Sequence, residues 1–459
     1  MEKIQNYIDG KYQDPISLQY IDNFEPATGK VYCLIPNSDE KDVEIAVKAA
    51  EKAFPIWSGL SIDERSAILM KVAKGIEARM AEFVEAESRD NGKPISLAAH
   101  VDIPRAISNF EFFATAIKHF ASESHQMEGQ GINYTLRKAI GIVGCISPWN
   151  LPLYLFSWKI APALASGNCV IAKPSEVTPY TAYLLGKICT EAGMPAGVLN
   201  ILHGNGSSVG DVIVKHPKIK AISFTGGTKT GEYIAKTAAP MFKKLSLELG
   251  GKNPNIIFAD CDFDEMIKTT MRSSFANQGQ ICLCGSRIFI ERSIYDKFKS
   301  VFVEKVKRSK VSYPQDPEAR LGAVVSKAHM EKVLSYIELA KEEGGSVLAG
   351  GHQVNLSGAY SEGYYIAPTV IEGLAYDCRT NQEEIFGPVV TITPFDSEEE
   401  VLMMANSTQY GLAATVWTND LRRAHRMGNL LESGIVWVND WLVRDLRTPF
   451  GGVKSSGVG

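Results

Sequence analysis

The chain has 459 residues, 45% of them hydrophobic and 22% charged, with a formal net charge of −4; that balance fits a globular protein of two or three domains and offers no basic footprint for nucleic acid or an acidic membrane surface. No apolar stretch approaches membrane-spanning length, and no basic stretch followed by an apolar run opens the sequence, so a cytoplasmic protein is expected. The eight cysteines are scattered, and the one close pair, Cys282 and Cys284, lacks a companion Cys/His pair, which argues against a metal site and leaves most of them as reduced core residues.

In chain order, Tyr7 to Tyr12 reads as a hairpin around an Asp9-Gly10 turn. Val43, Ala46, Val47, Ala50 and Phe54 share one face of a helix. A second helix opens at Ser61 with Glu64 in capping-box position, and its pattern runs to about Arg89, before Asn91-Gly92. Residues 121–138 are polar and weakly patterned, and read as a protruding arm. From about residue 139, short β-rich runs at 140–146, 169–172, 198–202, 221–224 and 255–258 alternate with helix-like stretches or Gly-rich turns. A second series follows at 287–290, 389–393, 413–417 and 435–439. The expected fold class is α/β with two doubly wound domains. Residues 1–120 with 139–250 form the first, 251–450 the second, and 121–138 a small arm.

Several segments carry chemistry. Lys173-Pro174-Ser175-Glu176 follows a strand, where a lysine can reach a ribose or phosphate and a carboxylate can accept from ribose hydroxyls. Gly204-Asn205-Gly206 and Phe224-Thr225-Gly226-Gly227 each follow another strand, and glycines there let backbone approach a pyrophosphate at a helix N-terminus. Taken singly, such turns are more often plain turn chemistry. Ser147-Pro148-Trp149-Asn150 ends the first strand of the series. Leu247-Glu248-Leu249-Gly250-Gly251 places a carboxylate among apolar neighbours, a costly position unless the group is used or paired. Phe275 to Cys282 runs through Gly279-Gln280, a setting for a nucleophilic thiol, whereas Cys284 reads as structural.

The cysteine loop, the Glu248 turn, Pro148-Trp149-Asn150 and Glu384-Ile385-Phe386-Gly387-Pro388 together resemble the signatures of the NAD(P)-dependent aldehyde dehydrogenases, from Tyr7 to Gly459. The resemblance implies a Rossmann-like NAD-binding domain, a catalytic domain and an oligomerisation arm. It makes Cys282 the nucleophile, Glu248 the base that activates water against a thioester, and Asn150 with the Cys282 backbone N–H the oxyanion hole. It gives Lys173 and Glu176 the adenosine ribose, and Glu384 and Phe386 the nicotinamide end. Trp149, Ser175, Gly206, Gly210, Phe224, Thr225, Gly226, Gly227 and Leu249 complete the implied cofactor site. Many relatives carry Ser at the position of Gly227. Glu176 repels a 2′-phosphate, so NAD is the expected cofactor. The family implies a homodimer or homotetramer. Its members continue past the Lys454–Gly457 region with a strand that pairs with a partner, so the arm is expected to lack that strand here.

Arg105, after Asp102-Ile103-Pro104, and Arg444, after Trp441-Leu442-Val443, fall in segments that line the family's substrate tunnel. Both segments resemble those of the 2-aminomuconate and 2-hydroxymuconate semialdehyde dehydrogenases, where the matching arginines hold the substrate carboxylate. The alternative is ordinary pairing of Arg105 with Asp102 and of Arg444 with Asp445; of the three arginines, Arg447 reads as structural. Amino and hydroxy substrates differ by one polar group and stay undistinguished. Another acidic semialdehyde, such as succinate semialdehyde, and a catalytically dead member with a binding role stand as alternatives. Transfer to coenzyme A is disfavoured by Glu248.

Overall fold

The computed structural model describes residues Met1–Gly459. The alternating apolar runs build two sheets. The first places Lys244–Glu248, Ile219–Thr225, Ile142–Ile146, Cys169–Lys173 and Leu199–Ile201 side by side and parallel. Its outer edges are antiparallel additions: Asn6–Ile8 with Lys11–Gln13 on one side, and Gly457–Val458 on the other. The Asn6–Gln13 hairpin turns through Asp9 and Gly10, both at positive φ, as its Asp-Gly pair requires. The central strands are buried on both faces, which is why they read as unbroken apolar runs.

Ile142–Ile146 is the switch point of this sheet. The next two strands in the chain lie on one side of it, and the following two lie on the other. A crevice therefore opens beyond its carboxyl end, at Ser147–Asn150. The second sheet contains Asn253–Ile257, Gly285–Glu291, Val389–Phe395, Thr369–Glu372, Ala413–Trp417 and Ile435–Val438 in parallel, with Ser346–Ala349 antiparallel at one edge. The chain passes from one sheet to the other between Glu248 and Asn253. Lys244–Glu248, Ser346–Ala349 and Thr369–Glu372 are strands that the apolar runs do not announce. Each is short, and the first and second carry exposed polar residues.

The long helix expected from Ser61 to about Arg89 is two helices, Ile62–Ala78 and Met80–Asn91. Arg79 breaks them apart with φ −115° and ψ 25°. The first buries Leu69, Val72, Ala73 and Ile76; the second turns a different set inward, including the charged Glu87 and Asp90. One straight axis could not serve both faces. The second ends at Gly92 in the left-handed conformation, at φ 84°.

Residues 124–134 form a hairpin, Ser124–Met127 against Gly131–Tyr134, in which every residue is exposed. The chain also crosses between the two halves near its ends. Ala27 packs with Tyr364 and Tyr365, and its carbonyl accepts from the Tyr365 hydroxyl at 3.0 Å. Val453–Lys454 pairs with Tyr410–Gly411 on the second half, and Gly457–Val458 pairs with Leu247–Glu248 on the first. Ser456, fully buried between them, donates to the Gly250 carbonyl at 2.7 Å and accepts from the Gly411 N–H at 3.0 Å.

Candidate active site

The carboxyl ends of the first sheet face the amino ends of the second across a cleft. Ser147–Asn150 and Thr225–Gly227 come from the first. Gly250–Lys252, Cys282 and Glu384–Gly387 precede strands of the second. Three cavities share walls along this cleft. One of about 640 Å³ is lined by Lys173, Ser175, Glu176, Gly206, Gly210 and Phe224, with Trp149 and Thr225–Gly227 at its inner end. Trp149 and Thr225–Gly227 also line a second cavity of about 270 Å³, with Asn150, Leu249, Cys282, Glu384 and Phe386. A third, of about 410 Å³, is lined by Cys282, Glu248, Tyr154, Trp158, Arg444 and Phe450 among mostly apolar residues. Cys282 thus stands on the wall of both the second and the third.

The loop before Cys282 is strained. Asn277, Gln278 and Gly279 have φ of 50°, 57° and 71° in succession, and the first two are not glycine. Buried hydrogen bonds hold them there: Asn277 Nδ2 donates to the Asn150 carbonyl at 2.8 Å, and Gln278 Nε2 to the Ala323 carbonyl at 3.0 Å. The Cys282 carbonyl accepts from Asn253 Nδ2 at 2.6 Å. Its backbone N–H donates to no group of the protein. Burial, with Glu384 and Glu248 nearby, pushes the thiol far up from its ordinary range, so it is neutral in the resting site. Asn150 is buried, and its side-chain N–H₂ donates to the Gln280 carbonyl at 2.9 Å. That bond leaves a second N–H on an amide whose residue lines the cysteine cavity.

Glu248 ends its strand with Oε2 buried and without a hydrogen-bond partner. Burial raises its carboxyl to about 7, while Lys159 and Arg444 pull it back down. Lys159, on the same wall, is lowered to about 8 by burial.

Arg444 and Arg105 differ in placement. Arg444 lines the third cavity, stacked on Trp158 and Phe450, and it forms no ion pair. Burial lowers it to about 10, so it stays charged at neutral pH. Arg105 does not line that cavity. Its guanidinium carbon lies 5.7 Å from the ring centre of Tyr154, which does. Neither arginine takes the neighbouring aspartate: Asp102 pairs with Lys93 at 2.7 Å, and Asp445 pairs with the exposed Arg447.

The cofactor-side residues fit an elongated polar ligand. Lys173 Nζ is 3.0 Å from Glu176, and the half-exposed carboxylate faces the cavity. Gly226 must lack a side chain because a Cβ there would meet the Phe224 ring at 2.4 Å. Gly206 and Gly227 are different. A Cβ at either would enter open space, so internal packing does not demand glycine there, and the bare backbone borders the cavity. Gly227 opens the helix Thr228–Ala238, whose first turn has no side-chain cap; its free N–H groups suit an anion. At the other end Glu384 Oε1 accepts from the Gly251 N–H at 2.9 Å. Phe386, at φ 63°, meets Trp149 edge to face at 5.2 Å.

Several residues of the site lack a sequence signal. His329 brings its ring to 5.0 Å from Trp149 and bonds the Phe386 carbonyl at 2.7 Å, yet it comes from a helix 47 residues after Cys282 with no motif around it. Tyr154, Trp158 and Lys159 lie on the helix Pro152–Ala165, where the i, i+4 spacing of Tyr154 and Trp158 is the clue that puts them on one face.

Residues 12–459 match the model of the aldehyde dehydrogenase family. The chain is 52% identical over 459 residues to the human 2-aminomuconic semialdehyde dehydrogenase, covering 99% of this chain and 94% of that protein. It is 47% identical over 465 residues to the 2-hydroxymuconic semialdehyde dehydrogenase of Pseudomonas sp. strain CF600, covering 100% and 96%. An NAD⁺ complex of the aldehyde dehydrogenase from Bacillus cereus superposes with a TM-score of 0.97 at 39% identity, covering 100% of this chain and 93% of that one.

Proposed function

The chain belongs to the aldehyde dehydrogenase family, and from that premise we propose that it oxidises a carboxylated semialdehyde of the 2-aminomuconate or 2-hydroxymuconate type to the acid, with NAD. The observation that carries the reading is the position of Cys282, between a polar cleft suited to a dinucleotide and an apolar cavity walled by an unpaired arginine. Two of the relatives are named for such semialdehydes, and the NAD⁺ complex of the Bacillus cereus protein supports the cofactor. On this reading residues 1–120 with 139–250 hold the cofactor, 251–450 supply the cysteine, and 121–138 serve assembly.

The NAD would lie along the first and second cavities, on Lys173, Glu176, Gly206, Gly227 and Glu384, and when bound it supplies the hydride acceptor. The chain's own groups do the rest. Cys282 Sγ adds to the aldehyde carbon. The free Cys282 N–H and the second N–H of Asn150 donate to the developing oxyanion. The proton that the thiol must lose goes to solvent. Glu248, with an oxygen that bonds nothing, takes the proton of the water that cleaves the thioester; a base near 7 suits that work at neutral pH. The substrate's carboxylate is read by the edge of Arg444, with Arg105 adding positive charge beside Tyr154. The exposed hairpin suits pairing with a second copy, and we place homodimer or homotetramer assembly with it.

The test is NADH formation with 2-hydroxymuconate semialdehyde against a neutral aldehyde of similar size, in the wild type and Cys282→Ala. Preference for the semialdehyde, lost with the cysteine, supports the reading. Activity with the neutral aldehyde alone removes the carboxylate argument and keeps the dehydrogenase.

A further inference from the structure

Three side chains converge on one peptide group behind the cleft. The carbonyl of Asn150 accepts from Asn277 Nδ2 at 2.8 Å, from Asn91 Nδ2 at 3.3 Å and from Lys93 Nζ at 3.4 Å. Asn91 also donates to the preceding carbonyl, of Trp149, at 3.0 Å. Lys93, Asn91 and Asn277 are all fully buried. Three donors on one oxygen exceed its two lone pairs, and one of the three is a cation.

That cation sits in an expensive place. Lys93 Nζ is 2.7 Å from Asp102 Oδ1 and 3.9 Å from Glu87 Oε1, and all three side chains are without exposure. Glu87 Oε2 accepts from the Leu153 N–H at 3.2 Å, while Glu87 Oε1 and Asp102 Oδ2 have no hydrogen-bond partner. Burial pushes the carboxyls of both Glu87 and Asp102 up from their ordinary range, against the pull of Lys93 beside them. A well-packed apolar trio of the same volume is often as stable as a buried ionic cluster, or more so. Stability alone therefore does not explain it. What the cluster does have is a direction: its lysine and its glutamate both reach the stretch Asn150–Leu153.

That stretch needs holding. Leu151, which caps the helix Pro152–Ala165, has φ −133° and ψ 74° and no side-chain cap bond, so helical hydrogen bonding does not fix the Asn150 peptide. We infer that Lys93 is a positioning residue for the reaction at Cys282: it anchors the Asn150 peptide plane, and through it the direction of the Asn150 side-chain amide. The inference rests on the role given to Asn150 above. Lys93 lines none of the three cavities. It acts at one remove, where a shift of 1 Å is worth on the order of 100-fold in rate. Through Asp102, which precedes Ile103–Ala116, the same lysine also anchors the helix that bears Arg105.

The experiment is a double-mutant cycle on the full chain, with kcat measured at saturating NAD and aldehyde. Lys93→Met is expected to lower kcat by about 10- to 100-fold, with the Kd for NAD unchanged. In an Asn150→Ala background the same change is expected to cost about twofold or less, because the group it positions is gone. Equal losses in both backgrounds overturn the inference, since a general structural defect multiplies with any other. Unchanged kcat in Lys93→Met overturns it as well, while a large loss in Asn150→Ala leaves the role of Asn150 intact. If Asn150→Ala is itself fully active, the reading of Asn150 falls and this inference falls with it. Should Lys93→Met not fold, Asn91→Ala removes a neutral donor to the same carbonyl and is expected to show the same dependence on Asn150; full additivity there overturns the inference equally.

Discussion

The guanidinium carbon of Arg444 lies 3.4 Å from the ring centre of Trp158, and 4.0 Å from that of Phe450. The two rings engage the guanidinium by cation–π contact, and no carboxylate of the chain pairs with it. A planar guanidinium with stacked faces keeps its N–H edge for a bidentate partner. Arg444→Ala should lower kcat/KM for a carboxylated semialdehyde by about 10- to 150-fold, the worth of a hydrogen bond to a charged group. A neutral aldehyde of similar size should change by far less. Equal losses on both substrates would sink the carboxylate reading. Trp158→Leu should act in the same direction and more weakly, since the charge remains but its orientation does not.

Glu248 ends its strand with a buried, unpartnered carboxylate oxygen. Its carboxyl is raised to about 7 by burial, and its basic form is the carboxylate. Where thioester hydrolysis limits turnover, the rate should rise with pH through about 7 and fall below it. Stability moves the other way: a folded-state pKa raised above the unfolded one favours folding fully below about 4.5, and that contribution is lost as pH rises through about 7. Glu248→Gln should therefore raise Tm at pH 8 relative to wild type. It should also give a burst of NADH followed by near arrest, visible in stopped-flow absorbance, as the acyl-enzyme accumulates.

Glu176 sits 3.0 Å from Lys173 on the wall of the largest of the three cavities. Its charge opposes a 2′-phosphate on the ribose. Glu176→Ser should improve kcat/KM for NADP relative to NAD on the order of tenfold or more, from the removed repulsion. An unchanged ratio would show that the ribose binds elsewhere.

Gly227 separates ligand geometry from folding. Its φ is −69° and a Cβ there meets nothing, so Gly227→Val introduces no positive-φ strain and no internal clash. Tm should stay within a few degrees of wild type while the Kd for NAD rises, measured by isothermal titration. A large drop in Tm with unaltered binding would assign this glycine to the fold instead.

Ile132 and Tyr134 are 69% and 62% exposed on the hairpin, a large apolar presentation for an isolated two-stranded ribbon. The double change Ile132→Asp with Tyr134→Asp should shift the mass seen by light scattering toward a single chain, with little change in circular dichroism. The same mass in both proteins would place assembly on another surface.

Much of this site was legible because its chemistry is local in sequence. Pro148-Trp149-Asn150, Glu248-Leu249-Gly250 and the Gly279–Cys282 turn each join a strand end to a loop, where short motifs carry their own geometry. All thirteen expected cofactor residues border the first two cavities. The parallel runs of the sheets read clearly for the same reason that they are central: burial on both faces leaves no polar interruption. Lys244–Glu248 did not, because an alternating Lys-Leu-Ser-Leu-Glu has no such run. His329 and Lys93 were invisible for a different reason. Each matters through distant backbone, the Phe386 carbonyl and the Asn150 carbonyl, and no spacing rule links a side chain to a peptide bond many residues away. Arg105 shows the converse: its segment was singled out, yet it stands beside Tyr154 and not on the cavity wall.

Ser456 sits between two short pairings that belong to opposite halves of the molecule, Val453–Lys454 on Tyr410–Gly411 and Gly457–Val458 on Leu247–Glu248. Only two residues separate those anchors. The other passage between the sheets, at 249–252, runs alongside, and the Ser456 hydroxyl rivets it through Gly250. Any rotation that spread the halves would have to tear this seam next to Glu248. The cleft therefore works as a fixed gauge: the spacing between the Glu248 carboxylate and the Cys282 thiol is set when the chain folds, and a reactant is measured against it on arrival.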